Sequence, residues 1–357
     1  MLAEHDAASL TPNPTLEPIG FRFSGTASDY FRIWIVNTVL SILTLGIYSA
    51  WAKVRTLKYL YGATELDGAR FDYHADPLVI LRSRIIAAVL LVAYLVFSNV
   101  MPLVGGLIVL LIGFASPWLI VMARRFALRN TSYRNVRFSF AGEVGEAYSV
   151  VLGGGFLSVI TLGLAWPYAR WWRASFLVDS TWWGNLAFRT PATAGSFYIA
   201  YLIVGGVALL LFAGMGAFGA LVGYTGALEE GSAEAGAIVS TAVFFATYLL
   251  VLVFLAGLLQ AQVLRRTADG LRIGDHEVQV DFRPLRVALI SVTNAMAILF
   301  SFGLLIPWAT IRLYRYQLEH CAVLPAEPLD RVQARIAAEQ SAAGEEVGDA
   351  FDLDLGI

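Results

Sequence analysis

Asn37 and Asn294 are the residues of this chain best placed to act on a molecule held away from water. Each is an amide with two donors and an acceptor, set inside a run that carries no charge. Each lies seven residues before a hydroxyl residue, Thr44 or Ser301, and Thr161 holds the same place in a related run where Gly154 replaces the asparagine. Such groups can bind a polar solute or a lipid headgroup, and they can equally bond one helix to the next, which is the plainer role. The candidate intramembrane polar site is therefore Asn37, Asn294, Thr44, Thr161 and Ser301. Arg55, Arg173 and Arg312, at the ends of apolar runs, could meet lipid phosphates or serve only as topology signals and snorkelling anchors.

Other chemistry finds little support. Cys321 is the only cysteine, so intramolecular disulfides and cysteine-rich metal sites are excluded. His74 and His276 lie among acidic neighbours and read as exposed hairpin ends, without convergent metal ligands. There is no phosphate-binding Gly-Lys loop, no HExxH and no Gly-x-Ser-x-Gly elbow, so we expect no enzyme and no cofactor. Arginines are dispersed between apolar runs with no basic stripe, which gives nucleic-acid binding no support. No ionisable residue stands clearly inside an apolar run, and this argues against a proton-coupled transporter.

The elements that must position these residues carry one phrase three times: Thr44 to Trp51, Thr161 to Tyr168 and Ser301 to Trp308. A hydroxyl residue, glycine two later, Ala or Pro six later and an aromatic seven later recur in register. Gly46, Gly163 and Gly303, with Pro167 and Pro307, are expected to interrupt the helical ladder. The chain is 58% hydrophobic and only 15% charged, the composition of a membrane protein. Residues 85–123 and 197–264 are each long enough for two spans.

Charge then sets topology. The connections beginning at Lys53, Arg124, Arg170 and Arg265 are arginine-rich, and the turn from Gly226 to Gly236 carries Glu229, Glu230 and Glu234 without Lys or Arg. Seven simple spans would invert two of these loops against the positive-inside rule. If the second and third repeat elements, about 147–169 and 287–311, enter and leave on the cytoplasmic side, every basic loop lies inside, while the first, about 30–52, has mixed flanking charge and joins them only by its likeness. The alternative is that they are kinked spans.

Alternating segments around Gly or Asn predict short cytoplasmic β-hairpins at about 62–75, 130–142, 179–190 and, more loosely, 269–283, which would pair or pack beneath the membrane. The expected fold is an all-α polytopic membrane protein with internal repeats, two transmembrane helix hairpins and these β-hairpins. Residues 1–18 read as a disordered tail, 19–324 as the membrane domain and 325–357 as a polar, acidic cytoplasmic tail. Within that tail, Leu329, Val332 and Ile336 suit a surface helix.

The Phe-x-Phe-x-Gly strand at Phe21 to Gly25, the phrase from Thr44 to Arg55 and the hairpin from Asn130 to Phe140 together resemble the YjgN-like family of bacterial multi-pass inner-membrane proteins. The likeness runs over about residues 20–320. It departs in the middle phrase, where Tyr168 replaces the tryptophan and Trp172 the arginine. The resemblance implies an inner-membrane location and, because the family is a domain of unknown function, supplies no catalytic residues.

Three functions remain open at this stage. A channel-like or transporter-like protein for a small solute or lipid would use a shared polar space around Asn37 and Asn294. A membrane scaffold would dock a cytoplasmic protein partner, and an intramembrane lipid-modifying enzyme comes third. Lipid bilayer is the expected partner, and the small-residue face of Gly214, Gly216, Gly219 and Gly223 suits close packing within one chain or in a homo-oligomer.

Overall fold

The computed structural model describes residues 17–226, 233–336 and 338–339. Its plan is one motif used five times: a strand, a helical hairpin, and a second strand that pairs with the first. The first copy leaves β1 (Ile19–Gly20) and β2 (Arg22–Phe23), runs through α1 (Ala27–Leu43) and α2 (Ser49–Gly62), and returns as β3 (Thr64–Leu66). Phe23 pairs with Thr64 across the point where the helices leave the sheet.

In the second copy, β4 (Ala69–Tyr73) and β5 (Thr131–Tyr133) flank α3 (Pro77–Val100) and α4 (Pro102–Arg129), and Tyr73 pairs with Thr131. The third joins β6 (Val136–Phe140) to β7 (Thr181–Trp183). Its first arm is α5 (Val144–Tyr148), a π-helical turn (Ser149–Gly153) and α6 (Gly154–Ile160), and its second is α7 (Trp166–Asp179). The fourth joins β8 (Leu186–Arg189) to β9 (Leu271–Ile273) through α8 (Ala194–Gly226) and α9 (Ala233–Ala268). The fifth joins β10 (His276–Val280) to β11 (Cys321–Leu324) through α10 (Pro284–Phe300) and α11 (Ile306–Glu319).

All eleven strands form one sheet in the order β1-β11-β10-β9-β8-β7-β6-β5-β4-β3-β2. Its two ends, β1 and β2, are separated only by Phe21, whose N–H donates to the Cys321 carbonyl at 3.1 Å. The sheet therefore rolls up nearly into a barrel, with every helical hairpin leaving from one rim and every tight turn at the other. This corrects the all-α expectation: the short hairpins, expected to pair or pack on one another, are consecutive strands of one eleven-stranded sheet. A lone hairpin leaves both outer strands with unpaired backbone groups, and pairing each with its neighbour around a ring removes those edges. The loosely patterned segment around Gly274 is a full member of that ring.

Alternation assigns the two faces. Ile19, Phe21, Leu66, Phe71, Tyr133, Val136, Phe138, Trp183, Leu186, Phe188, Ile273, Val278 and Val323 gather in one apolar cluster. Phe71 stacks on Tyr133 at 4.7 Å between ring centroids, and Tyr133 meets Trp183 at 5.5 Å. The interior is a packed core, as expected where aromatic side chains fill a small barrel. Arg22, Arg70, Arg137, Arg189 and Arg272 occupy the alternate positions, all of them exposed. A face of that kind suits water and not hydrocarbon.

The turns use the residues their geometry demands. Asp67-Gly68 and Arg134-Asn135 have positive φ at both positions, as two-residue type I′ turns require. Arg134, at φ 49°, holds this unusual conformation while its guanidinium bridges the Asp67 carboxylate at 2.7 Å and the Asp330 carboxylate. Asp330 belongs to α12, which covers residues 329–336. Leu329, Val332 and Ile336 of α12 are buried in the barrel core, so the helix read as a surface element is instead a lid over the turn rim. The amphipathic pattern was right and its apolar face found the open end of the barrel. The lid is also tied by Asn185 to Glu339 and by the Ala326 N–H to His276 Nδ1 at 3.1 Å.

α3, α4, α8 and α9 provide four candidate membrane spans, by length and composition. The other three hairpins are shorter: α1 and α10 have 17 residues each, about 25 Å at 1.5 Å per residue. The turn from Gly226 to Gly236 lies largely outside the described residues, as do residues 1–16 and the acidic tail from residue 341.

Candidate functional site

The thrice-written phrase is a helix reversal. Leu45 and Gly46, Leu162 and Gly163, and Phe302 and Gly303 all have positive φ, near 50° for the first residue of each pair and near 90° for the glycine. The glycine N–H reaches back to Ser41, Ser158 or Ile298 carbonyl oxygen at 2.7–2.8 Å, closing the last turn of the first helix. Thr44, Thr161 and Ser301 hydroxyls then accept the N–H four residues on, from Tyr48, Ala165 and Leu305, at 2.9–3.0 Å. The three hydroxyls are thus used in building the reversal. Pro167 and Pro307 sit in the first turn of α7 and α11, where a missing N–H costs nothing, and they start the second helix. Each tip carries a bare apolar side chain: Leu45 is 94% exposed, Leu162 95% and Phe302 98%.

Behind these tips the three short hairpins diverge. In the fifth hairpin Asn294, 6% exposed, donates through Nδ2 to the Ala309 carbonyl at 3.0 Å. Its Oδ1 accepts from Arg312 at 3.0 Å, and the same guanidinium nitrogen donates to Thr293 Oγ1 at 2.8 Å. Arg312 also lies over the Trp308 ring at 5.0 Å. The amide is saturated within its own hairpin.

In the third hairpin Gly154 replaces the asparagine, and a Cβ built there would lie 3.2 Å from the Ala169 Cβ and 3.9 Å from the Trp172 ring. Close packing and an indole occupy the polar position.

In the first hairpin Asn37, 5% exposed, makes only the equivalent bond from Nδ2 to the Ala52 carbonyl, at 3.4 Å. Its Oδ1 is buried without a partner. Val36 stands where the fifth hairpin has Thr293, and Arg55, the counterpart of Arg312, is exposed. A cleft of about 520 Å³ opens at this point, lined by Trp34, Asn37, Thr38, Ser41, Ile42, Ser49, Ala52, Lys53, Thr56 and Leu57. That is within the size range of small-ligand sites. Lys53 has no acidic partner among the described residues, and Arg84 of α3 donates to Ser49 on the cleft wall.

No residue of the fifth hairpin lines this cleft, and Asn294 bonds only to its own hairpin. The structure does not bring the two amides into a common cavity. Arg173 lies half-buried near Arg170 and Arg124, away from both asparagines in chain and hairpin, and no salt bridge reaches any of the three among the described residues. Cβ positions at Gly214, Gly216 and Gly223 meet nothing within 4 Å.

This architecture spans almost the whole of a family match. The family described as bacterial protein of unknown function (DUF898) matches residues 18–350, from β1 through the lid. The chain belongs to this family. Inner membrane protein YjgN of Escherichia coli O157:H7 is 39% identical over 126 residues, which is 34% of this chain and 30% of that protein. The protein of the same name from E. coli K12 is 37% identical over 121 residues, and that of Salmonella typhimurium 28% over 131. The matches span about a third of the length of these curated relatives. No solved structure matches the chain.

Within this DUF898 fold, the sequence pointed to Asn37 with its neighbours Thr38 and Ser41, and to Lys53 as a charge at an element end that could meet a lipid phosphate, but not to their meeting in one cleft. Only the folded hairpin brings Lys53 of α2 beside Asn37 of α1, and α3 beside α2 so that Arg84 reaches Ser49. The one available signal was the exchange of Val36 for Thr293 between copies.

Proposed function

We propose that this chain is a multi-pass protein of the inner membrane, with its barrel and carboxyl-terminal lid in the cytoplasm. We propose further that it handles a small polar or amphiphilic molecule in the cleft of its first hairpin, as a channel-like or transporter-like protein would. The barrel rim and turns carry the arginine-rich connections on one side of all five hairpins, which fits the positive-inside rule. The first, third and fifth hairpins are too short to cross about 30 Å of hydrocarbon and return, and their bare apolar tips favour re-entry into it. Transfer of each exposed leucine from water is worth about 1.5–3 kcal/mol.

The observation that carries the functional reading is the unpaired Asn37 carbonyl oxygen in a cleft that also holds Lys53. Leaving such an acceptor empty costs about 1–3 kcal/mol, a reason for it to be met by something that enters the cleft. A reconstituted wild-type protein that exchanges lipids or solutes between vesicle compartments, with loss on Asn37→Leu, is the expected result. Unchanged permeability and exchange across a broad panel would remove the reading. Topology has its own test. Cysteine at Asp275 should be shielded from an impermeant maleimide in intact cells and cysteine at Asn99 should react, and the reverse pattern would put the barrel outside.

A further inference from the structure

We infer that the first-hairpin cleft is a phospholipid headgroup site, selective for headgroups that carry an N–H or O–H donor beside the phosphate. This rests on the proposed embedding of that hairpin in the bilayer. Two unmet groups define the ligand. Asn37 Oδ1 is an acceptor without a donor, and it is held in place because the same amide is anchored on Ala52, the residue before Lys53. Among the described residues Lys53 is a cation without an acid, and no Asp or Glu lines the cleft.

A ligand that satisfies both must present an anion and a donor. A phosphate esterified to ethanolamine or glycerol does so; a choline ester offers a cation with no N–H. Thr38, Ser41, Ser49 and Thr56 add hydroxyls to the cleft lining, that of Ser49 already bonded to the Gly46 carbonyl and to Arg84. Trp34, Ile42 and Leu57 on the cleft walls, with exposed Val39 beside them, favour a molecule with acyl chains over a free phosphate.

The sister hairpins argue that the vacancy is specific to the first. Where the ligand donor would lie, the fifth hairpin places its own Arg312, and the third fills the space with Trp172 against Gly154. Self-saturated copies have no use for a headgroup.

The test uses the full-length protein in mild detergent, with phosphatidylethanolamine, phosphatidylglycerol and phosphatidylcholine of identical chains titrated by native mass spectrometry. The first two should bind about fivefold more tightly than the third, the value of one hydrogen bond. Asn37→Leu should bring that ratio to about one and leave phosphatidylcholine binding unchanged, while Lys53→Gln weakens all three. Should Asn37→Leu fail to fold, the near-isosteric Asn37→Asp should favour the ethanolamine lipid over the glycerol lipid. Equal binding of the three lipids by wild type, or a preference that survives Asn37→Leu, overturns the proposal. So does displacement by millimolar glycerophosphoethanolamine as effective as by the lipid, because the ligand would then be soluble. A diazirine-bearing phosphatidylcholine separates the two levels. Crosslinks in α1 and α2 without headgroup preference would leave the embedded cleft standing and remove the headgroup assignment; no crosslink there would remove both.

Discussion

The first and fifth hairpins share one frame and differ in how the buried asparagine is met. Val36 and Thr293, Asn37 and Asn294, Trp51 and Trp308, Ala52 and Ala309, Arg55 and Arg312 occupy matching positions. Both asparagines anchor on the alanine carbonyl of the returning helix. Only Asn294 has its acceptor filled, because Thr293 helps to hold Arg312 in place and Val36 cannot do the same for Arg55. The Val36 and Thr293 exchange accompanies others along the cleft lining, among them Ser41 for Ile298, Ser49 for Ile306 and Lys53 for Thr310, and together they separate a closed structural joint from an open cleft. A repeated fold can keep its frame in all copies and vary one of them for binding.

The largest effect should come from removing the amide in each copy. Asn294→Leu strips Arg312 of an acceptor in a half-buried place and should cost about 1–3 kcal/mol. Asn37→Leu removes an acceptor that nothing among the described residues satisfies, and its cost in lipid-free detergent should stay below about 1 kcal/mol or reverse in sign. Thermal unfolding of the two variants side by side checks this. Equal losses would mean that the two amides do the same structural work, and the contrast between the hairpins would fail.

The second test converts one copy into the other. Val36→Thr supplies the hydroxyl that Arg312 uses in the fifth hairpin, so Arg55 should move onto Asn37 Oδ1 and close the cleft. The expected gain is about 0.5–1.5 kcal/mol in lipid-free detergent, together with loss of headgroup preference. A variant that is no more stable and still prefers donor-bearing lipids would show that position 36 does not set the difference.

The repeat was legible in the sequence and the contrast within it was not, since Asn37 and Asn294 read as equivalent members of one shared polar space, and the reasons are physical. The thrice-repeated phrase exposed the reversals because these three tips turn back through positive φ at a fixed place, which favours glycine there, whereas the α3–α4 turn at Met101, φ −138°, carries no such mark. The four turn sites around Gly68, Asn135, Gly184 and Gly274 were visible for the same reason. What local pattern cannot carry is the partner of each strand. Three to five residues do not say whether Tyr73 pairs within its hairpin or, as it does, with Thr131 across fifty intervening residues of helix. The barrel was therefore missed as a closed object, and with it the destination of Leu329, Val332 and Ile336. Asn37 could be singled out from its spacing. Its empty acceptor could not, because emptiness depends on where Arg55 points.

A smaller effect separates the strands that feed the two hairpins. Ile19 precedes the first, and His276, at the matching position, precedes the fifth and accepts the Ala326 N–H that ties down the lid. Burial holds the His276 imidazole below its ordinary pKa, opposed by Glu327 and Asp275 and reinforced by Arg335. A depressed histidine contributes stability above its unfolded pKa of about 6.5 and loses it as pH falls through the lower folded value. Hydrogen exchange at the Ala326 amide should therefore quicken below pH 6.5, with no such change in His276→Gln. Exchange at the first-hairpin end of the barrel, around Ile19, should not respond. A pH-independent Ala326 would show that the lid is held by Arg134 and the apolar face of α12 alone.

The smallest expected effect lies where each returning helix meets the barrel. Thr64 ends the first hairpin and donates through Oγ1 to the Leu60 carbonyl at 2.8 Å; Cys321 ends the fifth and donates through Sγ to Gln317 at 3.1 Å. Burial, with Asp269 nearby, pushes the Cys321 thiol up to about 11, so at neutral pH roughly one molecule in ten thousand carries the reactive thiolate. Maleimide labelling of the folded wild-type protein at pH 7 should be negligible, and denatured protein should label fully. Cys321→Thr restores the residue used in the first hairpin and should change stability by less than about 0.5 kcal/mol, since a hydroxyl and a thiol make the same bond to the same carbonyl. Rapid labelling of folded wild type would mean that the fifth hairpin opens at its base. The joint read as closed would then be the mobile one, and the difference between the two hairpins would have to be sought in their motion instead of in Val36 and Thr293.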